Sequence, residues 1–223
     1  MNNESRTIGE EEFEKYLTTA GYPFEYEKVW PGKTRRPDYT LTRNGGTFLF
    51  DVKDFDPKLP VLGFGQIEMY SGIRRQIEAG RQKFKEFKEF PCCVVLRNNG
   101  SMFARIEDPH TVFGAMYGNV GFAIPVYVGG GPPPPDAPQV RQTFLGGAQM
   151  LPNKNTTISA LLTVRDVSIE GETQLGVIVF ENAYARLPLP RDMLNGPYDV
   201  RYGRDGNDLA CVFWGSELAE EGK

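Results

Sequence analysis

The stretch Arg35-Arg36-Pro37-Asp38-Tyr39-Thr40-Leu41-Thr42-Arg43-Asn44-Gly45-Gly46-Thr47-Phe48-Leu49-Phe50-Asp51-Val52-Lys53 decides how the chain reads. Asn44-Gly45 suits the left-handed backbone of a two-residue hairpin turn, and strand-forming residues flank it. With that turn, Arg43 faces Gly46 and Thr42 faces Thr47, and the ladder carries Asp38 opposite Asp51. Directly opposed residues share one face of a sheet, their β-carbons roughly 4.5–5.5 Å apart. Lys53, two residues beyond Asp51, points to the same face. Two carboxylates and an ammonium are therefore expected to converge. A three-residue loop would instead set Asp38 against Val52 and disperse them.

The neighbours of these charges are apolar on both faces: Phe48, Leu49, Phe50, Val52 and Phe55. The strand thus reads as buried, and buried charges need partners. Two close carboxylates repel, so one holds a proton unless a cation lies between them. A hard divalent ion such as Mg²⁺ or Mn²⁺ takes such oxygens together with water and phosphate oxygens. Bound there, it acidifies a water and stabilises charge on a phosphodiester. A nearby lysine can orient or deprotonate that water, or neutralise developing charge. The residue types match metal-assisted phosphodiester hydrolysis.

Outward from the hairpin, residues 8–20 carry Phe13, Tyr16, Leu17 and Ala20 at helical spacing, with Gly21 as a stop. Residues 24–30 alternate as an edge strand does. Residues 66–89 read as one long amphipathic helix ended before Pro91, and residues 92–96 as a short buried strand. The first hundred residues therefore run helix, three strands, helix, strand. That order predicts an α/β (α+β) layer architecture, a central mixed sheet flanked by helices. A short helix over 108–117, a strand over 120–128 and strand or helix candidates over 158–167, 174–181, 198–202 and 209–214 make up the second half, expected to be a β-rich C-terminal elaboration. Gly129-Gly130-Gly131 and Pro132 to Pro135 mark a flexible Gly/Pro-rich loop over 129–142. It divides a core, 1–128, from an extension, 143–223, packed on that core.

Arg35-Arg36-Pro37-Asp38-Tyr39 followed after twelve residues by Asp51-Val52-Lys53, within this order of elements, resembles the PD-(D/E)XK nuclease superfamily. The resemblance covers about the first hundred residues and implies a restriction-endonuclease-like core. It implies Asp38 and Asp51 as metal ligands, Lys53 as a catalytic residue and Mg²⁺ or Mn²⁺ as cofactor. Such families often add a glutamate from the first helix. On a helical wheel Glu10 lies about 60° from the centre of the apolar face, Glu12 and Glu14 about 100° on either side, and Glu11 about 160°. Glu10 is the expected extra ligand, with Glu14 and Glu12 in reserve, although an acidic first turn is also what a helix dipole favours. Gln66-Ile67-Glu68-Met69-Tyr70 matches the Gln-x-x-x-Tyr element of the recombination-nuclease branch. By that likeness Gln66 and Tyr70 support the site from the start of the long helix.

Composition bounds the partners. With 25 Lys and Arg against 29 Asp and Glu, the net charge is −4, so a bulk electrostatic grip on nucleic acid is not expected. Contact must come from local cations, of which Lys33, Arg35, Arg36 and Arg74 are the candidates. Arg74, Arg81, Lys85 and Lys88 share one helix face, but Glu68, Glu78, Glu86 and Glu89 dilute it, and a solvated face is the plainer reading. His110 reads as a capping or buried residue. Three cysteines without zinc-ligand spacing read as buried thiols in a reducing, cytoplasmic setting. No apolar run is long enough to span a membrane. The expected function is a metal-dependent nuclease acting on DNA, as a homodimer or within a defence or repair complex. A catalytically inactive binding or scaffold protein of the same fold is the alternative.

Overall fold

Asn44 and Gly45 take positive φ, 50° and 74°, the backbone their two-residue turn requires. They join β2 (Tyr39–Arg43) to β3 (Gly46–Phe55) in a computed structural model that describes residues 6–55, 70–99, 105–123, 141–205 and 208–214. Arg43 pairs with Gly46, Thr42 with Thr47 and Tyr39 with Phe50, the register that the turn dictates. Before the hairpin lie α1 (Ile8–Thr19) and β1 (Phe24–Tyr26). After it come α2 (Ser71–Lys83), β4 (Cys92–Asn98) and α3 (Pro109–Tyr117). Then follow β5 (Asn119–Ala123), β6 (Arg141–Leu145), β7 (Ile158–Ile169), β8 (Glu172–Glu181), β9 (Val200–Asp205) and β10 (Asp208–Trp214).

Eight strands form one mixed sheet in the order β1-β2-β3-β4-β7-β8-β9-β10, and β5 pairs with β6 apart from it. β3 runs parallel to β4, and β4 to β7, as a helical crossover between β3 and β4 requires. The fold is thus α/β, a mixed sheet flanked by helices. The sheet draws strands from both sides of residues 129–142, most of which lie outside the described residues.

Side chains alternate between two cores. Phe13, Tyr16 and Leu17 of α1 pack with Tyr39, Phe50, Val52, Cys93 and Val95. Ile73 and Ile77 of α2, with Val112, Phe113 and Met116 of α3, pack with Leu49, Cys92, Val94 and Leu96. Gly80 brings α2 close to the sheet, since a Cβ there would lie 2.3 Å from Val94 Cγ2. The adjacent Cys92 and Cys93 are free and buried, one in each core, and burial pushes the Cys93 thiol up to about 12.

The structure differs from the sequence reading in several places. β1 stops at Tyr26, because Glu27 turns to φ 44°. The helix expected over 66–89 is α2, ending at Lys83, followed by one 3-10 turn, Phe84–Glu86. That tighter turn nearly eclipses Phe84 and Phe87, both fully buried. His110 is exposed, and Asp108 caps α3 by accepting from the Thr111 N–H at 3.1 Å. No helix among the described residues is long and apolar enough to cross a membrane.

Arg201, 2% exposed, anchors the C-terminal part. Its guanidinium meets Glu181 Oε1 at 2.7 Å and donates to the carbonyls of Pro190 (3.1 Å) and Met193 (2.7 Å). One buried cation thereby ties the loop after β8 to β9. Arg201→Met is expected to cost about 3 kcal/mol by stranding these acceptors, lowering Tm by roughly 6–12 °C. Thermal unfolding followed by circular dichroism checks this, and a change within about 2 °C would show that the anchor is dispensable.

Candidate active site

The residue preceding β2 is Asp38, and continuation of the ladder beyond Tyr39 and Phe50 sets it against Asp51. Both are buried, Asp51 completely and Asp38 to 7% exposure. Asp38 Oδ2 accepts from the Val52 backbone N–H at 2.7 Å, which leaves Oδ1 to turn toward Asp51. Lys53 donates to Asp51 Oδ1 at 3.0 Å and lies 2.9 Å from Oδ2. The three residues named from the hairpin register therefore meet on one face of the sheet.

A fourth member was not foreseen. Lys83, the last residue of α2, places Nζ 3.0 Å from Asp38 Oδ1 and 3.3 Å from Asp51 Oδ1. It fills the position between the carboxylates where a cation was expected. The helical wheel of α2 gave no hint of this, because Lys83 lies off the apolar stripe. The distance of α2 from the sheet, set by Gly80 on Val94, is what brings Lys83 into reach.

Burial is the main influence on Asp51 and raises its carboxyl to about 6; Asp38 adds to the rise, and Lys53 and Lys83 oppose it. For Lys83, burial works to lower the ammonium, but the two carboxylates outweigh it and the net direction is upward. Both observations describe one coupled cluster of two acids and two ammoniums. The lysines are the members most open to solvent, with side chains 27% and 28% exposed.

The donor set suits a hard divalent ion. Two acceptor-only carboxylates converge on one cationic centre, and buried Asp51 Oδ2 is met by the Lys53 ammonium at 2.9 Å but by no other donor. Among the described residues, no group of three His, Cys, Asp or Glu gathers, so water and substrate would complete the shell.

The structure does not bring Glu10 to this pair. Its carboxylate closes the capping box of α1, accepting from the Thr7 N–H at 2.7 Å. α1 packs on the face opposite to Asp51. The Thr7-x-x-Glu10 spacing was itself the signal for this role. The reserves are engaged as well: Glu12 accepts from Arg97 at 3.1 Å and Glu14 pairs with Arg6 at 2.8 Å.

Gln66 lies outside the described residues. Tyr70 precedes α2, and its ring packs where a Cβ on Gly114 of α3 would collide. Tyr70 and Lys83 stand at opposite ends of α2, roughly 20 Å apart along its axis, so Tyr70 is not beside the acids. Arg74 is anchored between α2 and α3, donating to Asn119 Oδ1 at 2.6 Å and to the Gly114 carbonyl at 3.1 Å. Lys33 pairs with Glu89 at 2.7 Å. Arg36 is exposed and Arg35 partly so, and both lie on the segment leading into Asp38. No family model, curated protein or solved structure matches the chain.

Proposed function

We propose that the protein is a metal-dependent nuclease with a restriction-endonuclease-like core, hydrolysing phosphodiester bonds in DNA. One observation carries the reading: Asp38 and Asp51 face each other across β2 and β3, with Lys53 on the same face. The order α1, β1, β2, β3, α2, β4 is what the resemblance implied, and it supports the reading.

Asp38 and Asp51 would hold Mg²⁺ or Mn²⁺, which when bound supplies an acidified water and charge neutralisation at phosphorus. The Val52 N–H fixes Asp38 so that one oxygen always faces the centre. Burial keeps competing water from Asp51, which strengthens every electrostatic contact there. Lys53, steered by Asp51 and open to solvent at its tip, is placed to donate to a phosphate oxygen or orient the attacking water. Arg35 and Arg36 supply backbone contacts upstream of the acids.

A second reading has its own observation. Lys53 and Lys83 already balance both carboxylates, as a binding or scaffold protein that kept the fold would need. Incubation of supercoiled plasmid with Mn²⁺, together with calorimetric titration of Mn²⁺ into the protein, separates the two. The nuclease reading expects nicked or linear DNA that EDTA prevents, and measurable Mn²⁺ binding. Absence of both results would favour the scaffold. Lys53→Ala is expected to lower cleavage by about a hundredfold or more without loss of Mn²⁺ binding.

A further inference from the structure

On the flank of α2 away from Lys83 lies a cleft of about 520 Å³. Its first wall is the end of α2 with the following 3-10 turn, presenting Arg81, Lys85 and Lys88. Its second is the turn 155–157 ahead of β7, with Arg186 beside it. The second wall is held firmly. The Arg186 N–H donates to the Thr156 carbonyl at 2.7 Å, and buried Asn155 donates to the Gln149 carbonyl at 2.8 Å.

The charge balance of this cleft is opposite to that of the chain. Four cations line it against one carboxylate, Glu86, in a protein of net charge −4. Glu86 is moreover engaged elsewhere: its oxygens accept from the Thr34 N–H and hydroxyl, both at 2.7 Å. Arg81 is bound by Glu78. Lys85, Lys88 and Arg186 are exposed and have no ion-pair partner among the described residues. Three unneutralised cations beside threonine hydroxyls suit an extended string of phosphates, which offers one charge per step to each.

The cleft is also tied to the acids. Thr34, bonded to Glu86 on its wall, is four residues from Asp38, at most about 14 Å along the chain. We infer that the cleft between the end of α2 and the turn before β7 seats the phosphodiester backbone of duplex DNA. From there the backbone would pass the end of α2 toward the segment that carries Asp38. The inference rests on the nuclease reading for the identity of the polyanion.

The test is fluorescence anisotropy of a labelled DNA duplex in EDTA, where cleavage does not interfere, over a range of salt concentrations. The variant Lys85→Ala/Lys88→Ala/Arg186→Ala is expected to bind at least about tenfold more weakly. Its plot of log affinity against log salt should be shallower by about 2–3, roughly 0.9 per lost contact. Lys15→Ala/Lys28→Ala, which removes positive charge elsewhere, should bind as the wild type does. Wild-type affinity and slope in the triple variant would overturn the cleft, whatever the catalytic residues do; so would a wild-type protein that binds no duplex. If instead the triple variant loses binding while Asp51→Asn goes on cleaving, the cleft stands and the acid-pair assignment falls.

Discussion

Asp51→Asn is expected to lose cleavage by about a thousandfold or more and yet to melt higher than the wild type at neutral pH. The first effect follows from replacing the buried carboxylate to which Lys53 and Lys83 both turn. The second follows from the environment of Asp51, which burial raises from 3.8 to about 6. A carboxyl whose folded value lies above its unfolded value favours the folded state while it is protonated. That contribution is complete below about 4 and is lost as pH rises through about 6. At pH 7 the wild type carries an ionised group that the fold disfavours, on the order of 3 kcal/mol, and an amide does not. Asp51→Asn should therefore gain about 6–12 °C in Tm at pH 7, and the gap should narrow as pH falls toward 4. Parallel melting curves for the two proteins from pH 4 to pH 8 check the sign. A variant less stable at pH 7 than at pH 4, relative to wild type, would mean that the two lysines more than compensate the burial.

Lys83→Met is expected to bind Mn²⁺ about ten- to a hundredfold more tightly than the wild type. The ammonium of Lys83 lies within 3.3 Å of both acids, so a divalent ion must displace it before it can be held. At contact distance, displacing one positive charge in a partly buried site is worth up to about 4 kcal/mol, and the 28% exposure of the Lys83 side chain reduces that. Without metal the same variant should be less stable than the wild type, because the carboxylates then face each other with only Lys53 nearby. Calorimetry of Mn²⁺ binding and thermal unfolding in EDTA measure the two effects. Unchanged or weaker Mn²⁺ binding would show that Lys83 helps to hold the ion rather than compete with it.

The hairpin was legible because its information is local. Asn44 and Gly45 demand positive φ, and a two-residue turn leaves one register, so the meeting of Asp38, Asp51 and Lys53 followed from the chain alone. Lys83 was not legible, since its reach depends on how closely α2 approaches β4, and that depends on the contact of Gly80 with Val94. For Glu10 the wheel gave an angle about the helix axis but not the sheet face that α1 would cover. Tyr70 failed for a related reason. A stripe at helical spacing shows which side of α2 meets the sheet, but not which end meets the acids. In the second half the apolar runs were visible but did not separate strand from helix, and β6 (Arg141–Leu145) was missed, its first two residues falling in the expected flexible loop 129–142. The order of the strands was not legible, because the insertion of β7 between β4 and β8 is decided by pairing across some sixty residues.

The position of β7 has a practical corollary for dissecting the protein. A truncation after residue 128 would keep the hairpin, α2 and all four charged residues of the cluster, yet it would strip β4 of its partner along Cys92 to Arg97. Every residue from Cys92 to Arg97 is buried in the intact molecule. The shortened piece would expose an unblunted apolar edge, a template for pairing with its own copies. The N-terminal half is not a transplantable module, and any minimal version must carry its sequence-distant neighbour strand with it.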